Sequence, residues 1–144
     1  MIPLFYNNGN LPPGIYIANL PEIEARFAYN PRRIKLFRAL KKVVKILAEC
    51  NCLELFLDGS FITNTAEPND YDICWEPVGV RPTVKLKEIL KNLEHSKKEY
   101  LGDIFVRLPQ PPFYFDHVIE WQKDRDGNTK GIIKLPIGKN HDQE

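Results

Sequence analysis

The chain has 144 residues, 43% of them hydrophobic and 27% charged, which is enough for one domain with a real core and excludes a disordered chain. A formal net charge of +1 excludes a general nucleic-acid coat protein, which carries a large basic excess.

Residues 1–20 hold Pro3, Gly9, Pro12, Pro13 and Gly14 and read as an irregular leader. The first eight residues lack a basic segment followed by an apolar run, so no secretion signal is expected. Asn19, with Glu22 three residues on, forms the reciprocal pattern of a capping box and opens a short helix to about Phe27. Asn30-Pro31 repeats the start signal, a cap residue followed by Pro at the first helical position. A helix follows over about 32–49, with Leu36, Phe37, Leu40, Val43, Val44 and Leu47 as its core stripe. Arg32, Arg33, Lys35, Arg38, Lys41, Lys42 and Lys45 fall on its other side, a solvated face or a surface for an anionic partner such as RNA.

Residues 53–57 read as a largely buried strand and Tyr71–Trp75 as a second. Pro82 to about His95 is predicted as one helix with Leu86, Ile89, Leu90 and Leu93 on one face, and residues 104–108 as a third strand. Pro109–Pro112 breaks the chain, and a short helix over 117–123 follows. Asp126-Gly127 then turns into a last strand over 131–135, and the tail after Pro136 is expected to fray. No stretch is apolar over the length needed to span a bilayer. Cys50, Cys52 and Cys74 form neither a disulfide framework nor a zinc pattern, so a reducing, cytoplasmic setting is expected.

The chemistry concentrates in Leu55–Thr63 and Pro68–Trp75. Gly59 has no Cβ, so a ligand can approach the backbone just past the strand. Ser60 and Thr63 offer hydroxyls at the start of a helical turn, an arrangement that suits phosphate oxygens. Asp70 and Asp72, two apart on a strand, project from one face, where they repel unless a hard cation such as Mg²⁺ lies between them. Tyr71 and Ile73 face the other way, toward the core.

Gly59-Ser60, the gap of nine residues, and Asp70-Tyr71-Asp72 resemble the signature of the DNA polymerase beta-like nucleotidyltransferase superfamily. The wider chain is similar to a family of small uncharacterised bacterial proteins assigned to that superfamily. The similarity runs through Leu11–Ile15, Arg26-Phe27, Asn30–Arg33, Asp58–Phe61, Pro68–Asp72, Asp124–Gly127 and Lys130–Ile132.

The resemblance implies an α/β (α+β) fold, a single domain with a mixed β-sheet flanked by helices. It divides the chain into an extension over 1–30, a nucleotidyltransferase-like core over 31–108, and a helix, hairpin and tail over 109–144. It implies that Gly59 and Ser60 hold a nucleoside triphosphate, with Thr63 nearby. Asp70 and Asp72 would bind Mg²⁺ or Mn²⁺, and a third carboxylate on a later strand would complete the site. Asp103 is the best position for it, with Asp116 and Glu120 weaker candidates. In such a site one ion lowers the pKa of the attacking hydroxyl and the other steadies the leaving pyrophosphate.

The expected activity is transfer of a nucleoside monophosphate from an NTP to a hydroxyl on protein, RNA or a small molecule. The competing expectation is a regulatory or binding module that keeps the fold without turnover, as in a toxin–antitoxin-like pair with a partner protein. Asp58 reads as a strand-end turn residue, with a fourth acidic group near the metals as the alternative, and Lys130 and Arg125 as solvated hairpin charges, with approach to a phosphate as theirs. Trp75, Trp121 and Phe113-Tyr114-Phe115 read as core rather than as base-stacking platforms.

Overall fold

Five strands form one mixed sheet in a computed structural model that describes residues 1–108 and 115–138. The strands are β1 (Gly14–Ile17), β2 (Glu54–Asp58), β3 (Tyr71–Trp75), β4 (Gly102–Val106) and β5 (Gly131–Pro136), in the spatial order β1-β5-β2-β3-β4. β1 pairs parallel with β5 and β3 with β4, while β2 runs antiparallel to both its neighbours. The expectations at Pro109–Pro112, at Phe113-Tyr114 and in the last six residues of the tail lie outside the described residues.

Two helices open the layer on one face of the sheet. α1 (Leu20–Phe27) begins with the expected capping box, Asn19 accepting from Glu22 N–H and Glu22 accepting from Asn19 N–H. α2 (Pro31–Glu49) starts with Asn30 accepting from Arg33 N–H and Pro31 where its missing N–H costs nothing. The predicted stripe of α2 is buried throughout, and each of its large side chains contributes about 1.5–3 kcal/mol by leaving water. It packs on Leu55, Leu57, Tyr71, Ile73, Trp75, Ile133 and Leu135, the odd-numbered positions of the central strands.

The period of two turns the remaining positions to the opposite face. There Phe56 and Ile132 pack under Val118 and Trp121 from the short α5 (His117–Glu120) and the turn after it. Trp75 is core, as expected, whereas Phe115 is exposed. The hairpin at 123–129 forms as predicted, with Lys123 bridged to Thr129 and Asp124 accepting from the N–H groups of Asp126 and Asn128.

The third strand begins at Gly102 rather than at Ile104, and three larger expectations change. The leader is not irregular throughout: Gly14–Ile17 is an edge strand whose Ile15 and Ile17 face solvent, so its alternation runs opposite to that of an ordinary half-buried strand. The helix expected over 82–95 is two, α3 (Val84–Lys91) and α4 (Leu93–Tyr100), because Asn92 leaves helical geometry and caps the second by accepting from His95 N–H. Leu86 and Ile89 are buried as expected, but Leu90 and Leu93 fall at the break and are exposed.

The basic face of α2 is the third change, because it loses its first two members. Arg33 is fully buried and donates to the carbonyls of Phe27, Ser60, Phe61, Thr63 and Thr65. Arg32 donates to the carbonyls of Pro68 and Asn69. Among the described residues no helix is long and apolar enough to cross a membrane.

Candidate active site

The bend after β2 is built on backbone that only glycine adopts easily. Gly59 has φ +96° and ψ −178°, a region essentially closed to other residues. A Cβ there would lie 3.2 Å from Asp72 Oδ2 and 3.3 Å from Asp72 N. Strand β2 thus ends with its backbone pressed against a carboxylate of β3, and Ser60–Ile62 makes one 3₁₀ turn beyond it. The Thr63 hydroxyl donates to the Ser60 carbonyl at 2.8 Å and bonds Thr65, so it closes the turn rather than pointing out of it. Ser60 is half-buried at the start of the turn.

Strand register assembles the acidic residues. Asp58 pairs with Asp72 across β2 and β3, and Asp72 pairs with Asp103 across β3 and β4. Directly opposed residues share a face, so the three carboxylates form a row across three neighbouring strands. Asp70, two residues before Asp72, falls on the same face.

Asp103 is therefore the candidate third carboxylate that lies beside the pair. Asp116 instead caps α5 by accepting from Val118 N–H and pairs with Arg107 at 3.3 Å, and Glu120 is exposed on α5.

Two lysines meet the row. Lys97 of α4 places its ammonium 3.1 Å from Asp103 Oδ2 and 3.6 Å from Asp70 Oδ2. Lys130, at the foot of β5, pairs with Asp58. The turn-residue reading of Asp58 is corrected accordingly. It closes β2 as a buried member of the row, kept in place by a lysine 72 positions away, and Lys130 is not a solvated hairpin charge.

Crowding shows in the titration of these groups. Burial, then the nearby Asp70, Asp103 and Asp58, push the Asp72 carboxyl up from 3.8 to about 7. Burial also raises Asp58, against the opposing pull of Lys130 and the Gly59 N–H. Burial pushes the Cys74 thiol up to about 12, which leaves it no nucleophile beside the row.

The donor set consists of hard carboxylate oxygens in excess over the local positive charge, the type that suits Mg²⁺ or Mn²⁺. Among the described residues no three such side chains converge, as they stand, closely enough to hold an ion. Lys97 lies between two of the candidates, and Asp72 carries the like-charge strain that a cation would relieve.

Sequence reading missed four of the residues that shape this site. Arg32 and Arg33 fix the two loop segments on either side of the gap, and Lys97 and Lys130 neutralise the row. Asp58 alone carried a local signal, an acid at the end of an otherwise apolar strand and next to the glycine.

A family model described as a family of unknown function, DUF6932, matches residues 3–136. No curated protein and no solved structure matches the chain.

Proposed function

Starting from the chain's membership of the DUF6932 family, of unknown function, we propose that it is a metal-dependent nucleotidyltransferase. It would move a nucleoside monophosphate from an NTP to a hydroxyl of a protein, an RNA or a small molecule. The observation that carries this reading is the register Asp58–Asp72–Asp103 beside the Gly59 bend. It gathers carboxylate oxygens next to the glycine bend.

Asp70, Asp72 and Asp103 are the residues that would hold Mg²⁺ or Mn²⁺. When bound, such an ion supplies positive charge to the transferring phosphate and eases ionisation of the attacking hydroxyl. Asp58, paired with Lys130, stands opposite Asp72 on the β2 side and adds to the negative charge that a cation would offset. Gly59 and Ser60 bring backbone and hydroxyl to the triphosphate, and Arg33 fixes their bend through its carbonyls. Burial on the core side excludes water from behind the row, since Tyr71 and Ile73 are fully buried.

The test is labelling from α-phosphate-labelled NTPs, offered one at a time with Mn²⁺ and a cell extract as the source of acceptor. The wild-type chain should label an acceptor and a chain carrying Asp70→Asn and Asp72→Asn should not. Absence of nucleotide binding even with metal would remove the catalytic reading. Capture of a specific partner that survives both substitutions, without labelling, would favour a binding module instead.

A further inference from the structure

Lys97 reaches the acidic row through a short helix-to-strand turn. It lies in the last turn of α4; Leu101 then adopts a left-handed conformation (φ 58°) and β4 begins at Gly102. The turn is tied down where the Tyr71 hydroxyl donates to the Tyr100 carbonyl at 2.7 Å. Its sequence neighbour Lys98 goes elsewhere, into a groove against α2. The Lys97 ammonium thus lies against two carboxylates of the row, Asp70 and Asp103.

An ammonium and a divalent ion seek the same oxygens, and they repel each other at such separations. We propose that Lys97 is the resident counter-ion of the row, holding Asp70 and Asp103 together until a divalent ion displaces it. The idea rests on the metal-dependent reading of the site. Displacement needs no movement of the backbone, because Lys97 is half exposed and its four-carbon stem swings freely into water. Breaking its two partly exposed ion pairs costs little, yet that cost is subtracted from the binding of every free ion.

A functional consequence follows for the nucleotide. An ion that arrives with a triphosphate brings phosphate oxygens as additional ligands and offsets the loss of the lysine pairs. Lys97 therefore weakens the site for a divalent ion that arrives alone, and the phosphate ligands of a nucleotide make up that loss.

Titration of the full chain with Mn²⁺, reading free Mn²⁺ by electron paramagnetic resonance, tests the proposal. Lys97→Met and Lys97→Gln should each tighten binding of Mn²⁺ alone on the order of tenfold. Lys97→Arg, which keeps the charge, should stay near wild type. Adding a non-hydrolysable NTP analogue should tighten Mn²⁺ binding in wild type and in Lys97→Met alike, by enough in wild type to offset the cost of displacing the lysine. Equal or weaker Mn²⁺ binding by both neutral variants would overturn the counter-ion role and leave the metal reading standing. No Mn²⁺ binding by any form, with or without the analogue, would overturn both.

Discussion

Asp58, the last residue of β2, stands directly opposite Asp72 on β3, and the Gly59 that follows it presses against the Asp72 carboxylate. Two acids from different strands and one side-chain-free position therefore share a single corner of the sheet. Most of the behaviour expected of this protein follows from that corner.

The metal-free chain should lose stability as pH rises from about 4 to about 7. Asp72 in the folded chain holds its proton up to about 7, whereas the ordinary value is 3.8, so within that window the folded state binds more protons. The loss should be on the order of 2 kcal/mol, reduced from the full shift because the group is not wholly buried. Thermal melts in chelator at pH 5 and pH 8 measure it. Asp72→Asn should flatten the difference and melt above wild type at pH 8; an unchanged slope would place the titration elsewhere.

Gly59→Ala should destabilise the fold by about 1–3 kcal/mol, since alanine is strained at this backbone conformation and its Cβ meets Asp72. Denaturant unfolding reads the loss. The same substitution should weaken Mn²⁺ binding, because the neighbour that must give way is a ligand candidate.

Arg33→Ala should cost on the order of 3–5 kcal/mol, leaving the buried carbonyls of Phe27 and Phe61 without a donor and the bend untied at Thr63 and Thr65. Arg33→Lys should recover little, as one ammonium cannot span acceptors from Phe27 to Thr65. A lysine variant that unfolds like wild type would show that the charge alone suffices.

Lys130→Met leaves Asp58 buried without its partner and should cost about 3–5 kcal/mol near neutral pH. Adding Asp58→Asn should restore much of that loss. A double variant no better than the single one would mean that the Lys130 stem, not its charge, holds the corner.

Local signals read well from the sequence, and long-range ones did not. The caps at Asn19 and Asn30, the stripe of α2, the Asp70–Asp72 pair and the Asp124–Asn128 turn all depend on residues within a few positions of one another. Asp103 could be placed just before a later strand but not in register with Asp72, because register is set by pairing across the sheet. β1 escaped notice because its partner is β5, over a hundred residues on, and its exposed isoleucines imitate no usual pattern. Asn92 looked like one polar residue in a helical period, since capping geometry decides between continuing and restarting. Arg33 looked like its basic neighbours on α2, because a buried guanidinium is recognisable only once its acceptors are folded around it.

Every bond that Arg33 gives to the bend ends on a main-chain oxygen. The course of the bend is thus fixed largely through the skeleton common to all amino acids, with the Thr63 hydroxyl as the side-chain exception. Most of the bend is a mould whose holding contacts do not depend on which side chains line it.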